Sequence, residues 1–201
     1  MGGMGKREDI LEATRDLIAE EGIQSFSFPK IFARAGVGSG TVYHYFSSKE
    51  ALIAAVYQEA SAVMDSEVLQ GYDPTAGIPD RFQGMMRNIV RFVSTRWKEL
   101  AVLEACRHMP FLAEESLRQP PAAQATFDLL AQGRDQGILR HLDGMMVGAA
   151  MLGAVSSLVE GHRSGKFTLT EAAVDQTIAA CWRALATPAY AEFTAGSGSS
   201  P

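Results

Sequence analysis

The sequence predicts an all-α fold, with a small N-terminal domain of three helices and a larger helical C-terminal domain. Apolar residues recur every three or four positions along successive segments, which is the spacing of an amphipathic helix. Clusters of glycine and proline separate these segments, and no stretch shows the alternation typical of a half-buried β-strand. With 201 residues, of which 47% are hydrophobic, the chain can bury a core without disulfides or metals.

The first two helices are predicted from their apolar spacing and their end signals. The first spans about residues 6–21 and stops at Gly22. The second begins after Ser27, a favoured N-cap residue, and runs to Ala35. Gly36 follows it and can adopt the left-handed conformation that ends many helices.

A short third helix and a long fourth helix follow. The third is predicted over about residues 39–46. The fourth begins at Lys49, with Ser47 or Ser48 as its cap, and reaches about Gln70.

Residues 71–79 contain two prolines and two glycines and are predicted to form the turn that leads into the second domain. The helices beyond this turn are predicted around the apolar positions 82–93, from Trp97 to His108, and over about residues 122–136, 143–163 and 171–186, the last capped by Thr170.

The charge distribution allows a nucleic-acid partner despite an acidic total. The net charge is −5 and the pI is near 5.4. Residues 22–49 nevertheless carry Lys30, Arg34 and Lys49 and no acidic residue. A local basic surface is sufficient for DNA binding, since affinity comes from the phosphates that the protein contacts.

The cysteines and the apolar segments of the sequence indicate the cellular compartment. Cys106 and Cys181 form no CxxC pair and are predicted to be free, packed thiols in a reducing environment. The first residues lack the apolar region of a secretory signal, and the longest uncharged run, residues 144–159, is shorter than the roughly 20 residues needed to span a bilayer. We therefore expect a cytoplasmic protein, not a membrane protein, in which residues 144–159 form a buried helix.

The first three helices have the plan of a helix-turn-helix, in which a tight turn containing glycine connects the second helix to one that enters the major groove. The apolar residues suited to its interior are Ile31, Ala35, Val42 and Phe46. The polar residues left on or beside its exposed face are Ser39, Thr41, Tyr43 and His44.

Residues 35–52, AGVGSGTVYHYFSSKEAL, closely resemble the signature of the TetR family of bacterial transcriptional regulators. The resemblance implies a helix-turn-helix DNA-binding domain over residues 1–50 and a helical ligand-binding and dimerisation domain over residues 51–187. Residues 188–201 are expected to form a disordered tail. The implied function is a ligand-responsive regulator, most simply a repressor, that binds a near-palindromic operator as a homodimer and is released by a small apolar or aromatic effector.

The resemblance also assigns roles to single residues. Thr41, Tyr43 and Tyr45 fall where the family contacts phosphates and bases, His44 where a side chain lies against a sugar or a thymine methyl, and Lys49 where the family holds a phosphate. The complete predicted DNA-binding set is Ser27, Lys30, Ser39, Thr41, Tyr43, His44, Tyr45 and Lys49.

Three residues of the second helix depart from the family pattern. Phe32 stands where alanine is usual, and Phe28 and Pro29 replace a polar pair that often adds DNA contacts. The packing of this helix is therefore expected to differ from that of relatives.

The C-terminal domain is expected to bind the effector and the partner subunit. The predicted effector-binding residues are Met64, Met86, Trp97, Phe111 and Phe127. Small residues such as Gly148 and Gly153 allow another helix to approach closely, either within the chain or from a second subunit. In the family, the last two helices of each subunit form a four-helix dimer interface.

Other classes of function fit the sequence less well. Residues 36–41 are rich in glycine but follow a helix and lack the lysine of a phosphate-binding loop. His44, His108, His141 and His162 are scattered, so no metal, cofactor or catalytic residue is predicted and the chain is not expected to be an enzyme. A regulator without a small-molecule ligand, a helical interaction module and a small enzyme are the alternatives.

Overall fold

The computed structural model describes residues 3–106, 109–112 and 120–192, and within these ranges the chain is helical and contains no β-strand. The helices are α1 (Gly3–Glu21), α2 (Phe28–Ala35), α3 (Ser39–Tyr45), α4 (Lys49–Val68), α5 (Ile78–Thr95), α6 (Trp97–Cys106), α7 (Pro121–Asp135), α8 (Gly144–Arg163) and α9 (Glu171–Leu185). Short 3-10 turns lie at Ile23–Ser25, Pro110–Leu112 and Pro188–Tyr190. The predicted all-α fold is confirmed.

Helix ends follow the local signals of the sequence in most places. Gly36 has φ +63° and ends α2. Of the two candidate caps of α4, Ser48 forms the bond, because its Oγ accepts a hydrogen bond from the backbone N of Ala51 at 3.1 Å. Thr170 caps α9 through the backbone N of Ala173 at 3.2 Å. Ser27 occupies the N-cap position of α2, but its side chain makes no capping hydrogen bond.

The chain divides into two compact units, and the first comprises the described parts of residues 1–64 and 96–119. In this unit α1 packs against α2, α3 and α6. The predicted interior residues Ile31, Val42 and Phe46 are buried in its core, and Ala35 packs against that core while partly exposed.

The second unit comprises the described parts of residues 65–95 and 120–201, and α5 packs against α7, α8 and α9 within it. Within α8, the close approaches to glycine are not at the predicted Gly148 or Gly153. They are at Gly144, where an added Cβ would lie 2.9 Å from the ring of Phe127, and at Gly161, where it would lie 2.4 Å from the ring of Phe167. These two glycines let aromatic rings pack directly on the backbone of α8.

Helix α8 is more exposed than the sequence predicts. Among the helices of the described ranges it is long and apolar enough, by length and composition alone, to cross a membrane, with a mean hydropathy of 1.4. Only 17% of that apolar window is buried, so the expectation of a buried helix is wrong for most of its surface. One face packs through Val147, Val155 and Val159, and most of the other positions of the helix are exposed or only half-buried among the described residues.

The C-terminal end begins with ordered contacts. In the 3-10 turn Pro188–Tyr190, the carbonyl of Tyr190 accepts a hydrogen bond from Nε1 of Trp182 at 2.9 Å. The rest of the predicted tail, residues 193–201, and His108 at the predicted end of the sixth helix lie outside the described residues.

Candidate nucleic-acid interface

Helix α3 presents the polar face that the sequence predicts. Val42 is fully buried and fixes the rotation of the helix about its axis. Tyr43 is 54% exposed, and Ser39 and His44 are also exposed. Thr41 and Tyr45, also predicted to bind DNA, are half-buried on the flanks of α3.

The turn before α3 is tight because of its glycine and its buried valine. Gly36 takes a left-handed conformation that would strain a residue with a side chain. Val37 is buried directly after it and anchors the turn to the core of the first unit. The carbonyl of Gly38 then accepts the backbone N–H of Thr41 at 3.0 Å, which starts the helix.

The N-terminus of α4 lies directly after α3 and carries a cation at its first residue. Lys49 is the first residue of α4 and is exposed, with its Nζ 4.7 Å from the ring centre of Phe26. The carboxylate of Glu50 accepts hydrogen bonds from the backbone N–H of Glu50 and from the side chain of Ser48. These bonds lower the pKa of Glu50, which is therefore ionised at neutral pH. A helix N-terminus with an adjacent lysine is suited to hold a phosphate.

The basic residues of α2 face the acidic end of α1. Lys30 Nζ lies 2.6 Å from Glu21 Oε2, and the guanidinium of Arg34 is hydrogen-bonded to Glu20. The hydrogen bond to Glu20 raises the pKa of Arg34. The positive surface counted from residues 22–49 is therefore weaker than expected, since two of its three cations are already paired.

An aromatic cluster joins α2 to α3, and we use this name for Phe26, Phe28, Phe32 and Tyr43. The rings of Phe28 and Phe32 are stacked with centres 5.9 Å apart. The ring of Tyr43 lies against both, with its centre 5.2 Å from the ring centre of Phe28 and 6.5 Å from that of Phe32. The sequence signals that α2 departs from its family, and the i, i+4 spacing places both phenylalanines on one helix face, but only the fold brings Tyr43 onto them.

The predicted effector residues are distributed over both units. Met64, Trp97 and Phe111 belong to the first unit, and Met86 and Phe127 belong to the second. Met86 is buried, whereas Phe111 is 40% exposed. Their grouping into one effector site stays a prediction.

The second unit contains two concave sites of its own. Phe127 lines a cavity of about 130 Å³ together with Leu130, Leu139 and Val147. A groove of about 420 Å³ lies between α5 and α9, with Phe82 and Trp182 among its lining residues. Either could accept an apolar group.

Potential metal ligands and thiols are two further classes of functional group in the described ranges. Among those residues, no three His, Cys, Asp or Glu side chains are placed to hold a metal ion. Cys106 and Cys181 are both free and buried, as predicted. Burial raises the pKa of the Cys106 thiol to about 11, so this thiol is protonated at neutral pH.

Comparison with known proteins agrees with this geometry over most of the chain. Residues 10–56 match the family model of bacterial regulatory proteins, tetR family, and residues 78–186 match the model of the tetracyclin repressor-like C-terminal domain. An HTH-type transcriptional regulator of Haemophilus influenzae is 24% identical over 179 residues, which cover 89% of this chain and 94% of that protein.

Two further likenesses extend over much of the chain. The HTH-type transcriptional repressor AcnR of Corynebacterium efficiens is 27% identical over 140 residues, covering 68% of this chain and 70% of the repressor. The solved structure of a TetR family regulator from Vibrio parahaemolyticus superposes with a TM-score of 0.77 at 29% identity, covering 90% of this chain and 99% of that one. The fold and the interface define a helix-turn-helix transcriptional regulator. The chain belongs to the TetR family.

Proposed function

We propose that the protein is a ligand-responsive repressor that binds a near-palindromic operator as a homodimer and releases it when a small apolar or aromatic effector binds. The exposed face of α3, followed directly by Lys49 at the start of α4, is the observation that carries the proposal. The name of the similar protein AcnR, a transcriptional repressor, supports repression as the direction of control.

Binding of DNA is supported by the different contacts that α3 and the start of α4 can make. Tyr43 and His44 project from a short helix that the buried Val42 holds in place, so they can reach base edges and sugars. Lys49 and the N-terminus of α4 supply a phosphate contact that fixes the register on the duplex. Ser27 and Lys30 lie at the start of α2 and would add contacts to the flanking backbone.

Assembly into a homodimer is supported by the exposed face of α8. Met145 and Met146 are each 71% exposed, and a Cβ added at Gly148 or Gly153 would meet no other element of the described ranges within 4 Å. A row of small and apolar residues with open space above it suits close packing of a second helix. Two copies related by a two-fold axis would present their α3 helices to successive major grooves, about 34–36 Å apart or somewhat more.

Control by an effector is supported by the way the end of α4 is held in the second unit. Asp65 accepts a hydrogen bond from the backbone N of Ala122 at the start of α7, at 3.0 Å. Asn88 of α5 donates to the carbonyls of Val68 and Gln70, at 3.0 and 2.9 Å. Because α4 begins at Lys49, an effector that shifts α5 or α7 would act on the helix that carries the phosphate contact.

The coupling must satisfy thermodynamic linkage. The effector has to bind the DNA-incompetent state more tightly than the competent one. A coupling of about 1–3 kcal/mol would weaken operator binding roughly 5–150-fold, and operator would weaken the effector by the same factor.

DNA binding is tested by selecting bound duplexes from a random-sequence pool with the full-length protein and measuring affinity at several salt concentrations. We expect a near-palindromic site, two protein chains per duplex and an affinity that falls steeply with salt. Binding to no duplex, or binding that ignores both sequence and salt, would contradict the proposal.

Effector control is tested by screening apolar and aromatic metabolites for a rise in the melting temperature of the protein, since a ligand of the folded state raises its stability. A hit is then titrated with and without saturating operator. Equal effector affinity in the two titrations would remove the regulatory part of the proposal and leave DNA binding intact.

A further inference from the structure

The aromatic cluster places partly exposed apolar rings at the DNA-reading end of the first unit. Phe28 and Phe32 are only half-buried, and Tyr43 is more than half exposed. An exposed group of rings costs solvation free energy unless a partner covers it, so its position beside α3 calls for a partner with an apolar group.

The cluster also fixes the direction of Tyr43. Its ring contacts Phe28 at 5.2 Å and Phe32 at 6.5 Å, so neighbours from α2 support it on one side. Phe28 in turn packs edge-on against the buried Phe26 at 6.0 Å, which ties the cluster to the core. Tyr43 is thus held in place before DNA binds, and less side-chain entropy is lost on binding.

The chemistry of the major groove indicates which group of the DNA can be the apolar partner of the cluster. Phosphates and most base edges present hydrogen-bonding atoms, whereas the C5-methyl of thymine is the apolar group that the groove displays. Resting on the proposed DNA-binding role of α3, we infer that Phe28 and Phe32 are specificity-determining residues that hold Tyr43 as an apolar surface reading one thymine methyl in each operator half-site.

The experiment removes the methyl and leaves the rest of the base pair unchanged. In the duplex selected by the wild-type protein, each thymine is replaced in turn by deoxyuracil, and the affinity ratio of the two duplexes is measured. We expect one position per half-site where the swap weakens binding about three- to fourfold, the loss that accompanies exposure of one methyl-sized group.

Variants then assign that position to the cluster. In Phe32→Ala and in Phe28→Leu the thymine-to-uracil ratio should fall to about one, while the slope of affinity against salt stays as in wild type because no phosphate contact is removed. Tyr43→Phe should keep the ratio, since it keeps the ring. Phe167→Ala, which removes a partly exposed ring in the second unit, is the matched control and should leave the ratio unchanged.

The ratio is measured within one variant, so a fraction of misfolded protein cancels, and Phe28→Leu keeps the test open if Phe32→Ala folds poorly. The inference is overturned if no thymine-to-uracil swap matters, if the effect survives in both α2 variants, or if only His44→Ala removes it. Each of these outcomes leaves operator binding itself in place, whereas failure of the wild-type protein to select any duplex overturns the DNA-binding role as well.

Discussion

Lys30 Nζ lies 2.6 Å from Glu21 Oε2 and so joins the start of α2 to the last residue of α1. Both side chains are nearly half exposed, at 47% and 42%, so the pair is open to solvent and contributes little to stability. Its larger effect is on charge, because it sets a carboxylate beside a cation that is predicted to approach DNA.

Replacement of Glu21 by glutamine should therefore tighten DNA binding. The change frees Lys30 and removes a negative charge from the DNA-facing side, so affinity should rise for all sequences and the dependence on salt should become steeper, by up to about one in slope per subunit. Stability should change by less than about 1 kcal/mol. Fluorescence anisotropy over a salt series measures both effects, with Glu160→Gln in the second unit as control; unchanged affinity and slope would show that Lys30 does not approach the duplex.

Replacement of Lys49 by alanine should weaken binding about equally for every duplex. The lost phosphate contact should lower the salt slope by about one per subunit without altering base preference. Lys166→Ala, which removes an exposed lysine of the second unit, should change neither quantity. If Lys49→Ala behaved like this control, the phosphate contact assigned to the start of α4 would be wrong.

Replacement of Gly153 by glutamate should convert the protein into a monomer. A Cβ at this position meets no other element of the described ranges within 4 Å, so the fold should tolerate the side chain. A helical glycine is also unfavourable by about 0.5–1 kcal/mol relative to alanine. A charge buried between two copies of α8, however, would oppose association. Light scattering should give the mass of one chain for Gly153→Glu and of two chains for Gly84→Glu, which also has open space around its Cβ; a dimer in both would place the interface elsewhere.

Two substitutions of Asp65 should distinguish the effect of its capping hydrogen bond on stability from the effect of its charge. Asp65→Ala removes the bond to Ala122 and should lower the free energy of unfolding by about 1 kcal/mol, whereas Asp65→Asn keeps an acceptor oxygen. Desolvation raises the pKa of Asp65 despite the bond from Ala122, so the ionised carboxylate opposes folding above that pKa and the opposition is lost as the pH falls through it.

Urea unfolding of the Asp65 variants at neutral and mildly acidic pH tests this sign. The free energy of unfolding of Asp65→Asn should exceed that of the wild type by most at neutral pH. This difference should shrink as the pH is lowered. A difference that grows on acidification would mean that the carboxylate stabilises the fold as an anion.

The two cysteines should resist thiol reagents in the folded protein. Burial raises the pKa of both, to about 11 for Cys106, so neither is a reactive thiolate at mildly alkaline pH. Ellman's reagent should titrate no thiol in buffer and both in denaturant. Rapid labelling in buffer would show that the packing around these thiols opens readily.

The elements that the sequence predicts best are those set by local chemistry. The start of α4 at Lys49 follows from the hydroxyl of Ser48 one residue earlier, and the end of α2 follows from the conformational freedom of Gly36. Buried positions such as Ile31 and Val42 follow from helical spacing, because a helix repeats its face every three or four residues. The 3-10 turns, such as Ile23–Ser25, have too few residues to show a period and were not predicted.

The sequence by itself determined the all-α class, the helix-turn-helix and the residues that α3 exposes, because these depend on contacts within a few positions along the chain. Only the tertiary structure decided which residues of different helices meet. It pairs Lys30 with Glu21, sets Tyr43 on Phe28 and, among the described residues, buries only a small part of α8. Such contacts depend on how helices cross in space, and spacing along one helix carries no information about the neighbour that it will face.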